Sequence, residues 1–435
     1  MYCLFQSSGG DMKIIQKIKT LLKSFLKSGF LKSSLYVSLS KVFSSICNLL
    51  FMIFAVNILN KSENGVFQYY LGFLPVILAV AEFGLPSAIV KFLSTEKDNK
   101  YRIGIILSSS LFIKLISFLF LIGFAFAAYF IFKEDPLVVF ILVIGGTTVS
   151  FVSYFESIFV SFQAYKALAF WNPLANLMRL ILLYLTNYFS PLPLTYLDIL
   201  SIFSLSPIFI LVLFFFIFNR KQIYWGAKVN EIGHATKELS LFNTWAFVAS
   251  IFAIISDRLE IFLINKYHSS EDVAVYGTAL QLFSGFVIIL STLNSLVYPR
   301  LSALVHTEEF KTFLLKAIFA SFAVAILLSP GYFLAEPILN FLFNHKYEEA
   351  IPVFKILYPN YMLQLVFAPL GIALFAMGKP RILAILALLR LVFGYLLDTA
   401  LIPEFGVVGA GVAFLLGQVI SWLVLVGYFW ATFWR

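Results

Sequence analysis

The sequence contains little of what a soluble enzyme depends on. Of its 435 residues, two are cysteine, four are histidine and 12% are charged. Cys3 lies near the N-terminus and Cys47 in a long apolar run, so a disulfide framework is excluded. The histidines are expected in separate loops without the spacing of metal ligands. The stretch from Gly371 to Lys379 lacks the spacing of a phosphate-binding loop. We therefore predict no metal and no cofactor, and no transport driven by ATP.

Apolar residues are abundant instead. The chain is 61% hydrophobic and contains 51 phenylalanines, far more apolar surface than a soluble core of this length can bury. Charges, prolines and glycines divide it into about twelve apolar runs, each near or above the ~20 residues that cross a bilayer as a helix. These runs lie at 33–59, 65–94, 103–131, 137–161, 168–189, 195–218, 241–265, 273–298, 312–334, 351–377, 381–402 and 407–433. The predicted fold is an all-α polytopic membrane protein.

Lysine and arginine set the expected orientation. The loops on one side would hold only Lys61, Lys133, Lys266, Lys346 and Lys355, whereas the other side collects most of the remaining basic residues. Both termini are therefore predicted to be cytoplasmic. The formal charge of +9 is read as this topology signal, not as nucleic-acid binding.

The longest polar connection divides the chain into two halves. We predict a basic amphipathic segment at 1–32, an N-lobe at 33–219 with six spans, a cytoplasmic linker at 220–240, and a C-lobe at 241–435 with six more. Because each half has an even number of spans, the halves share one orientation, which predicts parallel six-helix lobes around a central cleft. Gly65-Val66-Phe67 and Ala274-Val275-Tyr276 start equivalent spans in this alignment, and it places Lys91 opposite Arg300.

Several short motifs occur in a characteristic order. They are Glu63-Asn64-Gly65-Val66-Phe67, Glu82-Phe83-Gly84-Leu85-Pro86-Ser87-Ala88 with Lys91, Asp257-Arg258, Phe343-Asn344-His345-Lys346-Tyr347-Glu348-Glu349-Ala350, Met377-Gly378-Lys379 and Gly406-Val407-Val408-Gly409-Ala410-Gly411. In this order the chain resembles the polysaccharide biosynthesis flippases of the multidrug/oligosaccharidyl-lipid/polysaccharide exporter superfamily. The resemblance implies an O-antigen-type flippase in the bacterial inner (plasma) membrane, which moves an undecaprenyl-pyrophosphate-linked oligosaccharide by alternating access. Implied partners are this substrate, membrane lipids, a polysaccharide polymerase and a chain-length regulator.

Basic residues inside the spans are the first candidates for substrate binding, because a pyrophosphate needs compensating charge to cross hydrocarbon. Arg258 and Lys41 lie within the first spans of the two lobes, and the resemblance places those spans on the cleft. The alternative for Lys41 is that its side chain reaches back to the interface. Lys91 and Arg300 would attract the anionic head group at the inner gate, or else act as ordinary positive-inside anchors.

Acidic residues in the spans are candidates for ion coupling. Asp257 and Glu260 share a helix face and would bind a proton or Na⁺, or else form a structural cluster that neutralises Arg258 or a cation of the other lobe. Glu82 is a third candidate, although a structural pairing of Glu82 and Glu156 with Lys114 is favoured. Arg179 and Arg390 are predicted to be structural.

Two other functional classes remain open. A drug or cation antiporter of the same fold would need a cavity rich in carboxylates. A membrane polysaccharide polymerase or acyltransferase would need a large outer loop or a histidine in a span, so we do not expect an enzyme.

Overall fold

The structure is a computed structural model that describes residues 29–96, 99–217, 229–305 and 307–433. Within these ranges the chain is helical and contains no strand, which confirms the all-α prediction. Most of the predicted amphipathic segment at 1–32 lies outside the described residues. The part of that segment from Gly29 onward belongs to the first helix.

Sixteen helices are described. In the N-terminal half they are α1 (Gly29–Ile58), α2 (Lys61–Glu82), α3 (Leu85–Thr95), α4 (Lys100–Phe132), α5 (Pro136–Ser161), α6 (Tyr165–Phe189), α7 (Tyr196–Leu205) and α8 (Pro207–Ile217). In the C-terminal half they are α9 (Val229–Ser256), α10 (Leu259–Tyr267), α11 (Ser270–Gln281), α12 (Ser284–Leu304), α13 (Glu309–Leu328), α14 (Ala335–Phe343), α15 (Ala350–Ala376) and α16 (Pro380–Phe433), with a short 3₁₀ turn at Ser329–Tyr332.

Ten helical stretches are long and apolar enough to cross a membrane among the described residues. One of them, 380–432, is two helices joined at Gly406, whose φ of 55° and ψ of −135° are not helical. The α9–α10 stretch is not among the ten, and it carries Asp257, Arg258 and Glu260. The multi-span architecture is thus established, and twelve crossings remain a prediction with which these features agree.

The predicted linker at 220–240 differs from the structure in its second half. Helix α9 begins at Val229, so residues 229–240 extend the seventh predicted span instead of forming a connection. His234 therefore lies in a helix, contrary to the expectation that every histidine lies in a loop. Helix α9 packs against the predicted N-lobe, where Ser109 donates a hydrogen bond to the carbonyl of Ile232 (3.1 Å) and Ser87 donates one to Oδ1 of Asn243 (3.3 Å).

The lobes meet most closely along α2 and α11. These two helices start alike, because Asn60 caps α2 through the amide of Glu63 and Ser269 caps α11 through the amide of Asp272. The two caps are separated along the chain by the same interval that separates Gly65 from Ala274. A shared start at the same interval agrees with the predicted repeat.

Candidate substrate cavity and lobe interface

A cavity of about 470 Å³ lies between the two lobes. Pockets that bury a drug-sized ligand have volumes of about 300–1,000 Å³, so this one can enclose a small polar head group. Both halves of the chain contribute walls. The polar and charged side chains among its lining residues are Asn48, Gln68, Arg179, Ser204, Asp257, Arg258, Gln281, Ser284, Tyr361 and Gln364. The rest of the wall is mostly aliphatic and aromatic.

Equivalent positions of the two lobes face this cavity. Gln68, Leu71 and Leu74 of α2 line it, and so do Gly277, Leu280 and Phe283, each at the interval that relates Gly65 to Ala274. Asn48 of α1 and Asp257 are related in the same way. The cavity therefore lies where a twofold axis between the predicted lobes would pass.

The C-lobe wall is built where two helices are interrupted. Between α9 and α10 the chain leaves the helix at Asp257 and Arg258, and between α11 and α12 it does so at Leu282 and Phe283. Irregular backbone at membrane depth is tolerated where it lines a cavity, because water or ligand can satisfy the freed groups. The first interruption turns Arg258 and Asp257 together toward the cavity.

Asp257 has a partner that the sequence did not indicate. Its Oδ1 accepts a hydrogen bond from Nη2 of Arg390 on α16, in an ion pair within the C-lobe. Asp257 is thus paired with a cation of its own half of the chain, whereas the expected partners were Arg258 or a cation of the other lobe. Within the described ranges the Arg258 guanidinium forms no ion pair. Arg258 is thus available to an anionic ligand.

Two further carboxyl groups lie deeper in the C-lobe. Glu260 is 2% exposed and Asp398 is fully buried, and they lie within electrostatic range of each other. Both oxygens of Asp398, Oε2 of Glu260 and the hydroxyl of Tyr276 have no hydrogen-bond partner in the described part of the chain. Two neighbouring carboxylates without donors are stable in a buried site only with a proton or a cation. Glu260 thus belongs to a polar cluster that can take up a positive charge.

The N-lobe wall contains an arginine that we expected to be structural. Arg179 of α6 lines the cavity although it is only 9% exposed. Its Nη1 donates to Oδ1 of Asn176 (3.0 Å), and its guanidinium carbon lies 4.2 Å from the ring centroid of Phe203. Its Nε is buried and has no partner among the described residues. The available signal was its position near the middle of a span, where an arginine is costly.

The predicted structural pairing of Lys114 is not found. Lys114 is buried, and its Nζ donates to the carbonyl of Ser150 (3.1 Å) and to the hydroxyl of the same residue. No ion pair between Lys114 and either Glu82 or Glu156 is present in the described residues. Glu82 is partly buried, faces Ser153, and feels Lys114 and Glu156 through space. Lys114 therefore donates to a backbone carbonyl and a hydroxyl, and not to the two carboxylates that we expected.

The remaining predicted basic residues lie away from the cavity lining. Lys41 is exposed on α1, two turns before Asn48, which places it roughly 10 Å along the helix from the cavity. Lys91 is exposed on α3, with its Nζ 5.4 Å from the ring centroid of Phe92. Arg300 is exposed on α12, and its guanidinium carbon lies 5.1 Å from the ring centroid of Phe313. Arg258 and Asp257 alone of the predicted set line the cavity.

At the end of the molecule that we predict to face outward, polar contacts join the lobes. We call the contacts between residues 56–65 and residues 270–278 and 342–349 the latch. Lys61 forms an ion pair with Glu349 (2.9 Å), and Asn64 donates to the hydroxyl of Tyr347 (2.9 Å). Lys346 donates to the carbonyls of Val56 (2.9 Å) and Leu59, and so satisfies acceptors at the C-terminus of α1. These contacts hold the two halves of the chain together at this end.

Ionisation of the loop residues reflects these contacts. The hydrogen bond from Lys61 holds the pKa of the Glu349 carboxyl below its usual value. Burial, with Lys61 nearby, lowers the pKa of Lys346. Burial also raises the pKa of Tyr347 to about 12, so this residue remains a neutral acceptor for Asn64. At neutral pH the latch thus contains a charged pair and a neutral hydroxyl.

Gly65 permits the closest approach in the latch. A Cβ built on Gly65 would lie 1.6 Å from the carbonyl oxygen of Ser270, which is a backbone atom of α11. Next to it, the hydroxyls of Ser62 and Ser270 are 3.1 Å apart. Only glycine allows the two helices to approach this closely. The approach therefore explains why glycine is the first residue of the Gly65-Val66-Phe67 motif.

The chain is similar to known proteins in sequence and in fold. The family model described as polysaccharide biosynthesis protein matches residues 30–305. A putative O-antigen transporter of Shigella flexneri is 22% identical over 192 residues, which cover 43% of this chain and 46% of the relative. An inward-facing multidrug resistance MATE family transporter matches with a TM-score of 0.70 at 14% identity, covering 88% of this chain and 93% of that one. The lipid II flippase MurJ matches with a TM-score of 0.67 at 15% identity, covering 90% and 87%.

These likenesses agree with the resemblance read from the motifs. The two solved structures are too distant in sequence to carry more than the fold, and that fold is the one expected of a superfamily of membrane transporters. The family match covers more than half of the chain. This multi-spanning membrane protein belongs to the polysaccharide biosynthesis protein family.

Proposed function

We propose that the protein translocates a lipid-linked oligosaccharide, carried on a polyprenyl diphosphate such as undecaprenyl pyrophosphate, from the inner to the outer leaflet of the bacterial inner membrane. The two lobes would alternate between states open to either side, and both termini would be cytoplasmic. The central cavity would hold the diphosphate and the adjoining sugar during the crossing. A polysaccharide polymerase and a chain-length regulator would act on the exported product.

The observation that carries this proposal is the charge of the cavity wall. Three of its lining residues are charged, and Asp257 is already paired with Arg390, whereas Arg258 and Arg179 face the cavity with donors to spare. Desolvating a diphosphate is favourable only where such donors replace its water. The named relatives, an O-antigen transporter and a lipid II flippase, handle ligands of the class that this wall suits.

Ion coupling is part of the proposal. Of the three acids predicted from sequence, Glu260 has the most suitable surroundings, because it is buried beside Asp398 with an oxygen that lacks a donor. Asp257 is engaged by Arg390, and Glu82 lies near Lys114. We propose that H⁺ or Na⁺ binds between Glu260 and Asp398, with Glu260 two residues after Arg258 along the chain.

A drug or cation antiporter is the runner-up, since the fold is shared with a multidrug transporter. Such a protein needs an unpaired carboxylate in the cavity, and the lining offers amides and arginines instead. A polymerase or acyltransferase finds no support in the lining, which contains no histidine and no cysteine.

Replacement of Arg258 tests the proposal. Arg258→Ala removes a full charge from the cavity and should abolish surface polysaccharide while protein abundance remains normal. Arg258→Lys retains the charge without the planar fork and should restore part of the export. The measurement is surface glycan per unit of membrane-inserted protein.

The matched control is Arg102→Ala, because Arg102 is an exposed residue that interacts with Glu96 far from the cavity. This variant should export normally. Normal export by a stable Arg258→Ala protein would remove the residue from the mechanism.

A further inference from the structure

Arg179 is the buried cation for which the fold provides the fewest partners. Of its five N–H donors, one finds an acceptor in the described part of the chain, Oδ1 of Asn176. Its Nε is buried and meets no acceptor in the ranges that the structure describes, and the residue is nine-tenths buried. A guanidinium that is left unsatisfied in a membrane protein is costly, so it is expected where a ligand completes its bonds.

The surroundings hold the guanidinium in a fixed place. Asn176 is itself fixed, because its Nδ2 donates to the hydroxyl of Ser44 on α1 (2.6 Å). The ring of Phe203, 4.2 Å from the guanidinium carbon, supports it by a cation–π contact. With its face occupied by a ring, an arginine presents its edge to planar or tetrahedral oxyanions.

Arg179 and Arg258 approach the same cavity from different lobes. Arg179 belongs to α6 of the N-lobe, whereas Arg258 lies at the break that precedes α10 of the C-lobe. A monophosphate offers one charged centre, and a diphosphate offers two joined by a bridging oxygen. Two separate guanidinium groups around a small cavity therefore match a diphosphate better than a single phosphate.

We infer that Arg179 and Arg258 form a clamp in which each lobe binds one phosphate of the polyprenyl diphosphate. This inference rests on the proposed function and adds to it the residue that selects a diphosphate over a monophosphate. Because the two arginines belong to different lobes, the ligand joins the lobes directly and favours their closure around it. Arg179 thereby has a binding role in place of the structural role expected from its position.

Binding of farnesyl diphosphate to the purified full-length protein in detergent tests the clamp. Dissociation constants for farnesyl diphosphate and farnesyl monophosphate are measured for the wild type and for Arg179→Ala, Arg179→Lys, Arg258→Ala and Arg102→Ala. Arg179→Ala should weaken binding of the diphosphate about 30-fold, which is about 2 kcal/mol at 1.4 kcal/mol per tenfold change. Its effect on the monophosphate should be severalfold smaller, so that the preference for diphosphate collapses. Arg179→Lys should recover part of this preference, and Arg102→Ala should retain all of it.

The melting temperature of each variant separates binding from folding. If Arg179 were only structural, Arg179→Ala would melt at a lower temperature and would weaken both ligands equally, which overturns the clamp. A diphosphate preference that depends on Arg258 and not on Arg179 also overturns the clamp, while the proposed function stands. A wild-type protein without any preference for the diphosphate contradicts the proposed function itself.

Competition by inorganic pyrophosphate identifies the source of the ligand. We expect it to displace farnesyl diphosphate weakly, because it has no isoprenoid chain to bury. Displacement at equal concentration would mean that the site recognises a free anion, and would overturn a carrier lipid as the ligand.

Discussion

The two predicted lobes differ at the level of the cavity. In the N-lobe, α1 is continuous through Asn48, and α2 is continuous through Phe73 and Pro75, at the positions that correspond to the two C-lobe interruptions. In the C-lobe, the corresponding helices are interrupted at Asp257 to Arg258 and at Leu282 to Phe283. Helix breaks concentrate polar backbone and charge, and the C-lobe accordingly holds the Asp257–Arg390 pair together with Glu260 and Asp398.

The difference shows how a duplicated plan can divide its tasks. At the N-lobe position that corresponds to Glu260 stands Phe51, which is fully buried in an apolar core. The N-lobe thus offers a continuous wall with one arginine, Arg179. The C-lobe offers the ionisable cluster. We expect ion coupling to depend on the C-lobe, whereas anion binding depends on both.

The largest effect on export should come from replacing an acidic residue of the C-lobe, in which the helices are interrupted. Glu260→Gln keeps the size of the side chain and removes its charge, so it should reduce ion-driven export at least tenfold, about 1.4 kcal/mol. Glu82→Gln, the matched change in the N-lobe, should reduce it much less. Export of glycolipid is measured in inverted vesicles with an imposed H⁺ or Na⁺ gradient. Equal sensitivity of the two variants would mean that the lobes share the coupling.

An intermediate effect is expected where the lobes touch. Gly65→Ala places a methyl group against the Ser270 carbonyl, and overpacking of this kind costs about 1–3 kcal/mol. The closed latch should therefore be populated at least about fivefold less. Its closure is measured as the cross-linking yield of a Ser62→Cys, Ser270→Cys pair, whose hydroxyls are 3.1 Å apart in the native protein.

Gly123→Ala is the control for this change, because a Cβ at Gly123 meets no atom within 4 Å. It should leave the cross-linking yield unchanged. An undiminished yield in the Gly65→Ala variant would show that the close approach does not limit closure.

The smallest effect concerns pH. Because the pKa of Glu349 is lowered by Lys61, the contribution of this ion pair to closure is complete above the usual carboxyl value of 4.5 and is lost as the pH falls through the lowered pKa. Both side chains are partly exposed, at 30% and 61%, so the change should be less than about twofold. The cross-linking yield should fall slightly in acid for the wild type and not for Glu349→Gln. A steeper fall that persists in this variant would assign the pH response to another group.

Several parts of the site could be predicted from the sequence. The motif around Gly65 includes a position where two helices meet at close range, and the Asp257-Arg258 pattern consists of residues that line the cavity. Lys41 and Arg179 illustrate the limit. Both are basic residues within predicted spans, and helical spacing alone could not tell that Arg179 faces the cavity whereas Lys41 lies two turns away from its wall.

The sequence by itself determined that the chain crosses a membrane as helices, because backbone groups in hydrocarbon must be satisfied within each segment. This requirement acts along the chain, so hydropathy, caps and glycines record it. The partners of the charged residues were decided only by the tertiary structure. Asp257 meets Arg390, and Lys61 meets Glu349, across long intervals of sequence. Such pairs depend on which helices pack together and how each one is rotated, and no local pattern specifies that.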